Sequence, residues 1–247
     1  MRAAALQRRV QGRHLASARL QDQYADRLRA WLGRANEPER RPVFIEAVAA
    51  AMGMDSATVV LLGTQRGEGV TAASDATART AYDLEFVLGE GPAHFAVAHG
   101  QTVQMAGTAL CDRWPQYGPA VARLGVQAVI AVPLQPPARL GALCAYSGQP
   151  AISDEAAMAV GVIADALPLT LSQAVDDSQP GDGVPALPLF READVPAAVH
   201  QAAGMISQQC GCSITDALVL LRARAFSTGR PAEEIAADVL RRELQLC

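Results

Sequence analysis

The sequence predicts an α+β protein in two parts: a helix followed by an antiparallel sheet flanked by helices, then a small all-α bundle. Three observations carry this. Short apolar or β-branched runs (57–62, 70–73, 102–105, 126–134 and 140–146) alternate with stretches of helical periodicity, and the turns between strands are short. The segment 175–189, VDDSQPGDGVPALPL, places three Pro, two Gly and three Asp within fifteen residues, which reads as an inter-domain linker. Beyond it, three helical stretches punctuated by Gly211 and Gly229 complete the chain. The expected layout is an N-terminal helix over 1–34, an α+β domain over 35–174, a linker over 175–190 and a three-helix domain over 191–247.

Each element has a local reason. Residues 1–34 contain no Pro and set Leu6, Val10, Leu20, Tyr24, Leu28 and Trp31 at roughly helical spacing, a narrow apolar stripe among many Arg. An amphipathic helix follows over 43–52. The run 57–62 (ATVVLL) is a buried strand, with 70–73 as its hairpin partner. Helical spacing returns over 77–88, breaks at Gly89-Glu90-Gly91-Pro92, and resumes briefly over 93–98. After a strand over 102–105 and a helix over 119–124, strands 126–134 and 140–146 form a hairpin across 135–139. Ser153 then caps a helix running towards Leu171.

In the C-terminal part, Asp194 is a good N-cap with Pro196 in the first turn. Ser213-Ile214-Thr215-Asp216 resembles a capping box and opens the second helix, and Pro231 starts the third. The inward faces are Val199, Ala203 and Ile206; Leu218, Leu221 and Ala225; and Ile235, Val239 and Leu240. So small a bundle buries little surface, so docking or dimerisation is expected to support it.

Composition narrows the function. Of 247 residues 50% are hydrophobic and 19% charged, which is core-forming material. The net charge of −4 argues against a chain uniformly devoted to nucleic acid. Charge is unevenly placed: residues 1–41 hold ten Arg against four acids, whereas 42–190 hold five Arg against fourteen acids. Five scattered Cys suggest reduced thiols. No apolar leader follows the early Arg, and the longest apolar run, 156–171, is interrupted by Asp165 and Pro168. A cytoplasmic protein with no membrane partner is expected.

No catalytic constellation is present in the sequence. Gly89-Glu90-Gly91-Pro92 lacks the length, the Lys and the Ser/Thr of a phosphate-cradling loop, and its Glu would repel a phosphate. Cys210 and Cys212 bracket a helix end without a second Cys or His pair at zinc spacing. The expectation is a binding protein and not an enzyme, with no catalytic residues, no metal site and no cofactor.

Two regions carry resemblances. The segment 199–206 (VHQAAGMI), Ala217-Leu218 through Leu221-Arg222 to Phe226, and Gly229-Arg230-Pro231 to Ala236 closely resemble the ANTAR domain, over nearly all of 191–245. The resemblance implies a three-helix RNA-binding module acting in transcription antitermination on leader RNA with paired short hairpins. RNA contacts would come from Arg222, Arg224, Arg230, Arg241 and Arg242, since guanidinium groups bind phosphate or a guanine edge and stack on unpaired bases. Ala202 and Gly204 would keep the first helix thin for close approach. From Pro196 onward five Arg face five acids, so one copy would bind weakly and a homodimer would supply avidity.

The preceding region resembles a GAF sensory domain of the kind that accompanies ANTAR in actinobacterial regulators. The resemblance rests on Ala73-Ser74-Asp75, Phe86 through Gly89-Glu90-Gly91-Pro92, Arg113-Trp114-Pro115, Leu124-Gly125 and Val132-Pro133-Leu134. It implies a small-ligand pocket between sheet and covering helices, with Phe86, Glu90, His94 and Trp114 as pocket residues. Together the resemblances imply a one-component switch in which a signal at the GAF domain frees or pairs RNA-binding modules. Three alternatives stand beside it: a DNA-binding regulator, since three short helices also describe a helix-turn-helix; a GAF-type small-molecule redox enzyme using Cys111 and Cys144; and a GAF domain that only dimerises.

Overall fold

Period-two patterning builds the centre of the molecule. In the strand Gly141–Ser147, Leu143 and Ala145 enter one apolar layer while Ala142, Cys144 and Tyr146 enter the other, so the strand is buried on both faces. The computed structural model describes residues 2–33, 44–62, 69–134, 141–176 and 197–246. In chain order the elements are α1 (Arg2–Gly33), α2 (Phe44–Ala51), β1 (Ser56–Leu62), β2 (Gly69–Ala73), α3 (Ala76–Leu88), α4 (Pro92–His99), β3 (Val103–Ala106), α5 (Thr108–Arg113), α6 (Tyr117–Ala122), β4 (Ala128–Leu134), β5 (Gly141–Ser147), α7 (Asp154–Asp176), α8 (Ala197–Cys210), α9 (Ile214–Thr228) and α10 (Ala232–Leu240).

The five strands form one antiparallel sheet in the order β2-β1-β5-β4-β3. One face is covered by α1, α2 and α7, whose Leu20, Phe44, Ile45, Val48 and Leu167 pack on Val59, Ile130 and Leu143. The other is covered by α3 to α6, which bring Ala78, Ala81, Ala96, Leu110 and Tyr117 onto Val129, Ala131 and Tyr146. The α+β class and each expected strand are present. Gly141 explains how closely β5 approaches β1: its φ is +151°, and a side chain there would collide with the Val60 carbonyl.

Caps set the helix ends. The Asp75 carboxylate accepts the Ala78 N–H at 2.8 Å and starts α3, and Gly89 in the left-handed region ends it. Ser213 accepts the Asp216 N–H at 3.1 Å, so the expected N-cap forms; the Asp216 carboxylate, shorter than the usual Glu, takes the Ser213 hydroxyl at 2.7 Å in place of the backbone N–H of a full capping box. Differences from expectation are small. The six-residue α5 lacks a periodic signal and escaped the sequence reading, and α7 continues past Leu171 through Pro168 to Asp176. Cys210 is disulfide-bonded, against the all-thiol expectation, whereas Cys111, Cys144 and Cys212 are free. The expected linker begins later than 175, since residues 175–176 still belong to α7; its remainder, the cap at Asp194, Pro196 and the hairpin turn at 135–139 lie outside the described residues.

The three C-terminal helices enclose their own core of Val199, Ala203, Ile206, Leu218, Leu221, Ala225, Ile235 and Val239, and rest on α3 through Phe86 and Val87. The outward face of α3 is therefore a seam.

Candidate functional site

Helical periodicity places Ala78, Ala81 and Glu85 on the buried stripe of α3. Glu85 is fully buried. Its Oε2 accepts the Ala93 N–H at 2.8 Å and the His94 N–H at 3.2 Å, and lies 3.3 Å from His94 Nδ1. Its Oε1 has no partner among the described residues. Burial raises this carboxyl, and the contacts with His94 only partly offset that. Gly91, with φ +153°, makes the arrangement possible, because a Cβ there would collide with the Glu85 side chain.

Further polar groups lie under the same helices. Thr58 Oγ1 and Tyr146 Oη are 3.1 Å apart, and Tyr117 Oη is buried without a well-formed hydrogen bond among the described residues. Burial first, and Glu85 second, push the Cys144 thiol well up. A protonated, enclosed thiol is a poor nucleophile. The interior is thus apolar and aromatic, with one carboxyl and several hydroxyls turned inwards.

The four expected pocket residues do not converge. His94 joins Glu85, and Trp114 is buried in the same layer, edge-on to Tyr117 at 6.2 Å and to Phe95 at 6.4 Å. Glu90 serves elsewhere: its Oε1 accepts the N–H groups of Gln116 at 2.7 Å and Tyr117 at 2.9 Å, satisfying the start of α6. Phe86 points out of the domain onto the C-terminal helices, because one residue after Glu85 a helix has turned about 100°. The sequence reading missed Glu85. The signal was present, since a carboxylate seven residues after Ala78 and four after Ala81 sits on an otherwise apolar stripe.

Arg222 is the side chain that meets Phe86. Its guanidinium lies 4.2 Å from the ring centroid, its Nε is buried with no partner among the described residues, and desolvation lowers its pKa. Arg79 of α3 and Glu233 of α10 add an ion pair at 3.6 Å across the seam. The other expected RNA-contacting residues differ in availability. Arg224 and Arg242 are exposed. Arg230 is held by Glu234 at 3.1 Å and Asp238 at 2.8 Å, and Arg241 by Asp238 and Glu243. Gly204 has open space beside it, whereas Ala202 is fully buried in the helical core and offers packing, not surface. No cluster of three or more His, Cys, Asp or Glu suited to a metal occurs among the described residues, and none of their helices is long and apolar enough to cross a membrane.

An antiparallel sheet covered on both faces, with helices continuing at both ends, defines a sensory domain of the kind found in signalling proteins. Residues 42–171 match the GAF domain model, over half of the chain, and the chain belongs to the GAF domain family. Among solved structures it is similar to the phycocyanobilin-bound GAF domain of a cyanobacterial phytochrome, with 16% identity, 68% of this chain and 98% of that chain covered, and a TM-score of 0.42. It is also similar to the GAF domain of an Acinetobacter phosphoenolpyruvate-protein phosphotransferase, with 15% identity, 64% and 97% covered, and a TM-score of 0.36. A third is a mutated NreA protein from Staphylococcus aureus, with 19% identity, 44% and 87% covered, and a TM-score of 0.33. No curated protein sequence matches the chain.

Proposed function

We propose that this GAF protein is a non-enzymatic, cytoplasmic regulator whose sensory domain controls a three-helix RNA-binding tail of ANTAR type. In this reading the tail binds paired short hairpins in leader RNA and promotes transcription antitermination. The observation that carries it is the contact of Arg222 with Phe86: the best-placed RNA-contacting cation is spent on the GAF domain. A signal that loosens α3 frees Arg222 to join Arg224 and Arg242, while Arg230 and Arg241 exchange their carboxylate partners for phosphate. Five cations per chain bind weakly and with strong salt dependence, so two tails in a homodimer are needed for avidity. Exposed Leu15 of α1 with Met158 and Val162 of α7 supply apolar surface for such a pairing. The buried, protonated Cys144 supports binding over redox catalysis.

The test is equilibrium binding of the full chain to a two-hairpin RNA, with duplex DNA and scrambled RNA as controls. Phe86→Ala is expected to raise RNA affinity several-fold, and adding Arg222→Ala is expected to cancel the gain. Duplex DNA binding that exceeds RNA binding, or unchanged RNA affinity in Phe86→Ala, overturns the reading.

A further inference from the structure

Between α3 and α6 of the GAF domain and the α9–α10 turn of the tail lies a cleft of about 590 Å³. It is outside the GAF interior, on the opposite side of α3 from Glu85. Its size falls within the range of pockets that enclose small organic molecules. The sensory domain contributes Leu84, Leu88 and Pro119, and the tail contributes Phe226 and Pro231. Phe226 is 63% exposed, a large aromatic ring standing open at the edge of this cleft.

One acid lies in these walls. Asp83 lines the cleft and makes no hydrogen bond or ion pair among the described residues, whereas its neighbour Glu233 of α10 takes the Arg79 guanidinium at 3.6 Å. The basic groups around it are mostly committed. Arg79, on the same helix, serves Glu233; Arg230, which also lines the cleft, serves Glu234 and Asp238; Arg222 of α9 sits on Phe86; and Arg123, exposed just beyond α6, lines the cleft as well. Asp83, Glu233, Glu234 and Asp238 thus outnumber Arg79, Arg230 and Arg123 by one around an apolar cleft. The arrangement calls for a positive charge on an apolar body.

We infer that the cleft is a binding site for a small hydrophobic amine in its ammonium form, with Asp83 as counter-ion and Phe226 and Leu84 against its apolar body. The inference goes beyond the RNA reading and does not depend on it. Burial and Glu233 push the Asp83 carboxyl up to about 7, with Arg79 opposing. Binding the ammonium returns this carboxyl to its ionised form, and the proton it held passes to solvent. Affinity accordingly rises with pH through about 7. Because both halves of the protein line the cleft, an occupant also favours the docked arrangement over the undocked one.

The test uses tryptamine as probe and indole acetate as its anionic counterpart, titrated calorimetrically into the full-length protein at about pH 6 and about pH 8. Saturable binding of one tryptamine per chain is expected, about tenfold or more tighter than indole acetate at the higher pH and weakening on acidification. Asp83→Asn is expected to remove the preference, and Thr80→Trp, at the exposed mouth of the cleft, to abolish binding while leaving the melting temperature near that of the parent. Preference for indole acetate, affinity falling with pH, absence of saturable tryptamine binding, or preference retained in Asp83→Asn each overturns the inference.

Discussion

Glu85 Oε2 lies 3.3 Å from His94 Nδ1 and takes both backbone N–H groups that begin the following helix turn, so a fully buried carboxyl is tied to the GEGP break by three contacts on one oxygen. Its other oxygen is unpaired among the described residues. Both facts have measurable consequences, because a carboxyl that folding forces towards its neutral form makes stability depend on pH.

The sign follows from proton linkage. The folded-state pKa of Glu85 is raised, so over the interval between the unfolded and folded values the native state binds more protons than the unfolded state. Stability is therefore highest below the ordinary carboxylate range and falls as pH rises through the raised value. Glu85→Gln keeps the oxygen that accepts from Ala93 and removes the titration. Thermal melts between about pH 5 and about pH 8 are expected to show a shallower decline for Glu85→Gln, with a higher melting temperature than the parent at the alkaline end. Parallel curves for the two proteins would show that Glu85 is not the source of the decline.

How much of this was legible in the sequence depends on which physical signal was read. The strands 57–62, 126–134 and 140–146 announced themselves through β-branched and apolar runs between turns, and the structure has them at Ser56–Leu62, Ala128–Leu134 and Gly141–Ser147. Ser213 and Asp216 announced a cap by residue type alone. Helix α5 did not, because six residues complete fewer than two turns and Leu110 is its single buried side chain. The candidate site was less legible than the fold. Phe86 and Glu85 are neighbours in sequence, yet one faces the tail and the other the interior, and a motif read as a unit hides that division. Glu90 looked like a ligand residue and is a helix cap, a role that depends on α6 being 26 residues away in sequence and adjacent in space.

Gly91 is where backbone conformation and side-chain packing impose the same choice. Its φ of +153° is open to glycine and costly for other residues, and the Glu85 side chain occupies the place a Cβ would take. Gly91→Ala must therefore displace a buried carboxyl that has lost water and holds two N–H groups. We expect a loss of about 2–4 kcal/mol in urea unfolding, the range for strain combined with a broken buried network. Gly12→Ala, in α1 with nothing within 4 Å of the added methyl, is the contrasting control and is expected to be neutral or mildly stabilising.

The tail tests whether the two parts of the chain unfold together. Leu221 is fully buried in the three-helix core, which includes no strand residue among those described, and Leu→Ala at such a site costs about 2–5 kcal/mol. A bundle of this size has little stability to spare. It is held to α3 by the Arg222–Phe86 stack, the Arg79–Glu233 pair and the packing of Phe86 and Val87 on its core; the first is worth about 0.5–2 kcal/mol and the second up to about 1 kcal/mol. With two partly buried side chains as its apolar part, the seam is smaller than the core that Leu221 supports and transmits little of that loss to the sheet. Amide hydrogen exchange of Leu221→Ala is therefore expected to show protection lost across α8, α9 and α10 while β4 and β5 keep theirs. Simultaneous loss of protection in the sheet would mean that the seam is far stronger than these contacts allow, and that a signal could not release the tail without unfolding the sensor.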